Sequence, residues 1–395
     1  MSLGFPTKEI AEGKARLLVP KLDIKSGEPI QHLRSEAPVF YNPVMKTNRD
    51  TAVLFLSVIE SGKDRGLELC EPMCGSGVRG VRFLVELGNT RKVVMGDLNP
   101  TAIKLATENA TLNNVADRSS LRLLDANLLL SLHAYPGGRF DYVDIDPYGS
   151  PTPFLNNGVL SVRNHGYIAL TATDMAPLCG VNKRACIRKY GGDSIQSEFC
   201  HEVALRLLAG ALIKNAAVHE TSAEPLFSFY SDHYIRLYAR LDKGAKLADQ
   251  KISEMGFIKY CKKCLYRESS YHNKKEKCPK CDEYYVIAGP LWLGELADRS
   301  FMKLMLEALS NKKYLENTKS ASLLRMVNNE IGYPVGFYDI DKICSLIGSK
   351  SISTSEAIER IKHEGYKVTV THFGNRSIKT DANIFELSEI LTPRR

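Results

Sequence analysis

The first 240 residues predict an α/β fold with a parallel sheet, on three observations. Short apolar runs alternate with helical stretches, a glycine-rich turn follows the first run and opens a helix, and acidic residues close the later runs. Strands separated by helices imply βαβ units, which set the strands side by side in parallel. In such sheets ligands bind beyond the carboxyl ends of the strands. The residues that close each run are therefore the candidate functional ones.

Gly66-Leu67-Glu68-Leu69-Cys70 is the first strand candidate. Val78 to Gly88 carries Val81, Leu84, Val85 and Leu87 at helical spacing, with Gly88 as a stop. Lys92 to Asp97 is the next strand, and Asn99 and Pro100 supply an N-cap and a first-turn proline for a helix ending near Asn113-Asn114. Leu121 to Leu124, Phe140 to Ile145 and Tyr167 to Leu170 are further strands. Ser194 to Leu212 reads as a long helix through Phe199, Val203, Leu207 and Leu208. Phe227 to Leu241 alternates in part, which predicts antiparallel strands at a sheet edge.

Composition shifts near Asp242-Lys243-Gly244, which puts the expected boundary between residues 1–245 and a smaller α+β domain at 246–395. Helices are expected there from Asp298 to Glu330. Asp339 to Asp381 pairs helices with a strand from Tyr366 to His372, a pattern compatible with a winged-helix-like unit over residues 335–385.

With 395 residues, 44% hydrophobic and 25% charged, two or three globular domains are expected. No apolar run approaches the roughly 20 residues of a membrane span. The opening Met1-Ser-Leu-Gly-Phe-Pro lacks the layout of a secretory signal. A cytoplasmic location without membrane contact is the expectation, and no obligate protein partner is evident. The net charge of +8 is uneven: between Lys243 and Cys281 eleven Lys/Arg face four Asp/Glu. Such an excess attracts polyanions in a salt-dependent way.

Glu71-Pro72-Met73-Cys74-Gly75-Ser76-Gly77-Val78-Arg79-Gly80 satisfies G-x-G-x-x-G through Gly75, Gly77 and Gly80, so a dinucleotide fold is one reading. Asp97, about twenty residues on, is within reach of ribose hydroxyls, which dinucleotides and adenosyl cofactors share. Asp125, followed by Ala126, ends the third strand. Asp146-Pro147-Tyr148-Gly149 closes the next one. There a carboxylate can accept hydrogen bonds from an amine, a proline stiffens the backbone, and an aromatic ring can stack a flat base. That cluster suits chemistry on the exocyclic nitrogen of a nucleobase, against a plain Asp-Pro turn. Asp144, two residues earlier, shares its strand face and reads as a supporting residue.

Cys261-x-x-Cys264 and Cys278-x-x-Cys281, thirteen residues apart, have the spacing of a four-thiolate structural zinc ribbon at residues 258–285, with no open coordination position. Cys70, Cys179, Cys186, Cys200 and Cys344 have no ligand spacing, and Cys74 reads as close packing. His201, His219 and His372 are read as structural, and Trp292 as a packing anchor.

An acid followed by Pro, a variable position, Cys, Gly, Ser and Gly resembles the first motif of S-adenosylmethionine-dependent methyltransferases. Further segments narrow the resemblance. Phe40-Tyr41-Asn42-Pro43, Asn48-Arg49-Asp50, Asp144 to Pro151, Thr171-Ala172-Thr173-Asp174 and Ala176 to Gly180 are similar to the tRNA guanine-26 N2-dimethyltransferase family. So are Arg188 to Gly191, Asp232-His233-Tyr234, Thr371-His372-Phe373 and Ile378-Lys379-Thr380. The resemblance spans most of the chain. It implies a Rossmann-like class I methyltransferase domain, S-adenosyl-L-methionine as co-substrate, tRNA as partner, and transfer of one or two methyl groups to N2 of guanine-26. It further implies cofactor contacts from Arg49, Gly75, Gly77, Arg79, Asp97, Asp125 and Ala126. Asp146 would act at the amine, and Phe40 and Tyr148, with Pro147 beside them, would hold a flipped-out guanine between their rings. Two rivals are another nucleic-acid amino-methyltransferase and a non-catalytic zinc-ribbon RNA-binding protein. The motifs around Phe40, residues 48–50 and residues 171–180 favour the tRNA enzyme over the first, and intact Asp97, Asp125 and Asp146 weigh against the second.

Overall fold

A computed structural model describes residues 3–21 and 37–392. Met1 and Ser2, which begin the segment read for a secretory signal, lie outside them. The chain opens with an antiparallel hairpin, β1 (Thr7–Glu12) and β2 (Ala15–Pro20), that sequence patterning did not reveal. Helix α1 (Lys46–Ser61) follows. It is buried from Thr47 to Leu56 on every side, so no polar face marks it as a helix in the sequence.

Seven strands then build one mixed sheet: β3 (Leu67–Glu71), β4 (Thr90–Asp97), β5 (Ser119–Leu123), β6 (Phe140–Ile145), β7 (Val162–Ala172), β8 (Thr221–Ser231) and β9 (Tyr234–Lys243). Their order is β5-β4-β3-β6-β7-β9-β8, parallel from β5 to β7 and antiparallel at β9 and β8. This is a mixed α/β sheet of the Rossmann-like kind. The interior strand β6 is buried at all six positions, which is why it reads as an unbroken run. Helices α2 (Val78–Glu86), α3 (Pro100–Leu112) and α4 (Ala126–Leu132) make the crossovers. Asn99 caps α3 by accepting from Thr101 N, with Pro100 in the first turn.

The chain travels outward from β3 to β4 and β5, then returns to β6 on the other side of β3. The direction of winding reverses between β3 and β6, and a crevice opens beyond their carboxyl ends. The long helix Cys200–Ala217 packs on the sheet and begins at Cys200, not at Ser194. Ile195 and Phe199 are buried, but in the non-helical approach, where Ser194 Oγ donates to Pro177 O at 2.7 Å. Apolar spacing alone could not tell that approach from helix.

Packing does not separate at residue 245. Met302, Met305 and Leu309 of the helix Arg299–Asn311 share one apolar cluster with Phe55 of α1. Ile258, Leu291 and Trp292 share another with the long helix, and the Trp292 indole donates to Glu295 O at 2.8 Å. These residues sit on or beside the sheet β11-β10-β12, formed by β10 (Met255–Tyr260), β11 (Arg267–Ser270) and β12 (Val286–Trp292). The last unit has a core of its own, built on Ile340, Ile343, Ile361, Ile384 and Leu387. It contains β13 (Tyr338–Asp339), β14 (Val368–Val370) and β15 (Ser377–Thr380), in the order β13-β15-β14, with helices Ile340–Leu346, Thr354–His363 and Ile384–Leu391. The strand read over 366–372 is only three residues long, because at Thr371 the chain turns and its N–H donates to Ser377 O at 3.2 Å.

Glu202 of the long helix ties the two regions together. Its fully buried carboxylate accepts from Lys379 Nζ at 2.7 Å, from Gly336 N at 2.9 Å and from Arg206. Burial pushes this carboxyl up, but Lys379 and Arg206 overcome it and hold it at about 2. Among the described residues no helix is long and apolar enough to cross a membrane.

Candidate active site

The glycine turn lies at the carboxyl end of β3, and two hydrogen bonds stitch it to β4. Cys74 N donates to Gly96 O and Gly75 N to Asp97 Oδ2, each at 2.8 Å. Gly77 has φ +72°, and a Cβ there would lie 2.7 Å from Ala106 of α3, so glycine is required by both backbone and space. A Cβ on Gly75 would meet only the carbonyl oxygen of Phe40, at 3.2 Å. The segment carrying Phe40 thus passes over the turn, and Asn99 Nδ2 anchors it through Pro38 O at 2.8 Å.

Asp97 also accepts from Asn99 N, and its own carbonyl accepts from Leu124 N, which brings Asp125 alongside. Asp125 caps α4 by accepting from Asn127 N and Leu128 N, and Ala126 is buried behind it. Leu98 and Leu128, both exposed, flank the two carboxylates and offer apolar surface at an otherwise polar edge.

Asp146 closes β6 on the other side of the crevice. Its Oδ2 is bound by the Arg79 guanidinium, which is itself buried. Arg79 also donates to Asn48 Oδ1 at 2.9 Å and lies 3.3 Å from Asp144 Oδ2 and 3.5 Å from Glu71 Oε1. Asp144 is fully buried and gripped twice by Arg236, at 2.9 and 2.6 Å, and by the Tyr142 hydroxyl at 2.5 Å. Burial pushes the Asp144 carboxyl up, but Arg236 and Arg79 more than offset it and hold it below its ordinary value. Glu71 goes the other way: burial raises it to about 8 despite Arg79. Asp144 therefore supports Asp146 through Arg79. Patterning did not assign Glu71, Asn48 or Arg236 to this network: the partners of Asn48 and Arg236 lie 31 and 92 residues away, and Glu71 meets Arg79 only across the folded glycine turn.

The loop after Asp146 is pinned by Thr173, whose hydroxyl accepts from Gly149 N and whose own N–H donates to Gly149 O. The Tyr148 side chain is thereby presented to solvent, 82% exposed, and Phe40 is 43% exposed. Their rings meet edge to face, 6.0 Å apart at 89°. The structure brings the pair together, but not as two parallel plates, so a base can lie between them only after one ring turns. Arg49 is buried and held by Glu12 of β1, which accepts from its Nε at 2.6 Å and its Nη2 at 2.7 Å. Both Arg49 and Arg79 are thus committed to acids rather than free in the crevice.

Cys261, Cys264, Cys278 and Cys281 converge with their sulfurs within 4.8 Å of one another. The two pairs sit in equivalent turns. Leu265 N donates to Cys261 O and Asp282 N to Cys278 O, and Leu265 and Asp282 both have positive φ.

The profile of the family described as N2,N2-dimethylguanosine tRNA methyltransferase matches residues 13–392. A tRNA (guanine(26)-N(2))-dimethyltransferase of Methanobrevibacter smithii is 35% identical over 98% of this chain and 97% of its own. A tRNA (guanine(26)-N(2)/guanine(27)-N(2))-dimethyltransferase of Aquifex aeolicus is 33% identical, over 96% and 94%. The chain belongs to the N2,N2-dimethylguanosine tRNA methyltransferase family. A solved structure of Trm1 from Pyrococcus horikoshii with S-adenosyl-L-methionine superimposes with a TM-score of 0.82 at 30% identity, covering 97% of this chain and 99% of that one. Family membership selects the methyl-donor reading of the glycine turn over the dinucleotide one.

Proposed function

We propose that this chain is a tRNA (guanine(26)-N(2))-dimethyltransferase that moves one or two methyl groups from S-adenosyl-L-methionine to the exocyclic N2 of guanine. The observation that carries the reading is one crevice edge holding a glycine-rich turn, two carboxylates flanked by exposed leucines, and Asp146 beside two exposed aromatic rings. The donor set fits the co-substrate. Gly75 and Gly77 let the turn fold tightly enough to bring its backbone to the amino-acid end, Asp97 suits the ribose hydroxyls, and Asp125 with Ala126 suits the adenine. Arg79 and Arg49 stand beneath this pocket as its fixed positive charges. S-adenosyl-L-methionine supplies an electrophilic methyl on a sulfonium.

The rest is the work of the chain. The guanine amine is a poor nucleophile because its lone pair is delocalised into the ring. Asp146, held by Arg79, accepts a hydrogen bond from that amine, and a nearby backbone carbonyl can accept the second. The lone pair is then turned towards the methyl, and alignment of this kind can lower a barrier by roughly 7–11 kcal/mol. Asp146 takes the proton released on transfer and passes it to water. Phe40 and Tyr148 stack the extruded base, which offsets lost stacking by about 1–3 kcal/mol.

The C-terminal region supplies the grip on tRNA. Lys262, Lys263, Lys274, Lys275, Lys277 and Lys280 are exposed around the four cysteines, and Lys275 and Lys277 lie over the ring of exposed Tyr284. The four thiolates would hold a structural Zn2+: Cys261–Cys281 and Cys264–Cys278 are 3.3 and 3.6 Å apart. A zinc tetrathiolate has edges of about 3.8 Å.

The test is to incubate the protein with unmodified tRNA transcript and labelled co-substrate, then map the product. N2-methylated or N2,N2-dimethylated guanosine at position 26 is expected. Product on a ring nitrogen or on adenine would overturn the reading.

A further inference from the structure

Cys179, Cys200 and His201 show no ligand spacing in the sequence, yet the fold makes them converge. A thiol from each cysteine and a ring nitrogen of His201 all lie within 4.8 Å of one another. The convergence has a structural cause. Gly180, at φ +86°, lets the chain after the helix Met175–Leu178 approach residues 195–196 so closely that a Cβ would sit 2.5 Å from Ile195 C and Gln196 N. That contact seats Cys179 against the start of the long helix, where Cys200 and His201 occupy the first turn.

We propose that these three residues form a second metal site, for a thiophilic divalent cation of the zinc class. Two sulfurs and an imidazole nitrogen around zinc require edges of about 3.8 Å and about 3.5 Å, and the observed span accommodates both. The ligand atoms are available. Among the described residues neither ring nitrogen of His201 makes a hydrogen bond, while the ring is fixed by stacking on Tyr230, 3.8 Å away and 8° from parallel. Cys200 and His201 are fixed together by the first turn of an 18-residue helix. All three residues are partly exposed, so an ion can enter and a water can complete the tetrahedron. Such a site would fasten the stretch after Asp174, whose neighbour Thr173 pins the Asp146–Gly149 loop, to the start of the long helix. It is independent of the four-cysteine cluster.

Zinc content of the full-length protein, purified under reducing conditions, reads the site. Cys179→Ser, Cys200→Ser and His201→Ala should each lower zinc by one equivalent per chain relative to wild type, while His201→Cys, which keeps a third soft ligand, should retain it. Co2+ loading of the unaltered protein gives a second readout. A hyperfine-shifted imidazole N–H signal is expected, which an all-cysteine site cannot produce. Equal zinc in wild type and variants, no shifted histidine signal, or a Cys179–Cys200 disulfide in place of the metal would each overturn the proposal.

Discussion

Asp146 does not hold its position by itself. Arg79 fixes Oδ2, and Arg79 is fixed in turn by Asn48, Asp144 and Glu71. Replacing Asp146 by Ala should reduce single-turnover methyl transfer by about 10²–10⁴-fold and leave co-substrate affinity, measured by calorimetry, nearly unchanged. Wild-type turnover in that variant would end the assignment. Glu71 makes a second, pH-linked prediction. With its carboxyl raised from 4.5 to about 8, the folded chain keeps a proton there that the unfolded chain has released. Stability therefore falls as pH rises through that window and levels off above it. Glu71→Gln cannot titrate and still accepts from Gly80 N. The wild type should lose melting temperature relative to it between pH 5 and 8, and parallel curves would refute this.

Among the elements, the β1–β2 hairpin looks peripheral but is electrostatically central. Glu12 binds Arg49 and the fully buried Arg82 and accepts from the Tyr41 hydroxyl. Burial pushes its carboxyl up, yet the two arginines hold it at about 2, below its usual 4.5. That stabilisation is present above pH 4.5 and is lost as pH falls through 2. Glu12→Gln leaves two buried guanidiniums short of a charge, and a loss of about 3–5 kcal/mol is expected in denaturant unfolding at neutral pH. None of this was legible beforehand, because Glu12 and its partners are 37 and 70 residues apart and no local pattern links them. The sheet was legible for the opposite reason. Its interior strands are buried on both faces, so β6 appears in the sequence as the continuous run Phe140 to Ile145. The residues closing those strands could be placed on one edge from topology alone. The orientation of the Phe40 and Tyr148 rings could not, since it depends on side-chain packing. Cys179 and Cys200 read as lacking ligand spacing because the Gly180 turn, not their separation in the chain, brings them together.

For the whole molecule, the charge asymmetry predicts how tRNA binding responds to salt. The exposed lysines between Lys262 and Lys280 concentrate much of the +8 net charge on the four-cysteine region. The logarithm of the binding constant should fall linearly with the logarithm of salt concentration, each phosphate-contacting lysine adding about one unit of slope. Lys274→Ala combined with Lys275→Ala should flatten that slope by up to two units without altering turnover at saturating tRNA. An unchanged slope in a filter-binding titration would place the grip elsewhere.

Glu202 gives that long-range grip a geometric meaning. By clasping Lys379 and the Gly336 amide from inside the long helix, it denies the last unit the freedom to swing against the sheet. The far end of the chain is thereby fastened to the long helix that packs on the sheet carrying Asp146. One buried carboxylate is thus the knot that ties the two ends of the chain into a single body.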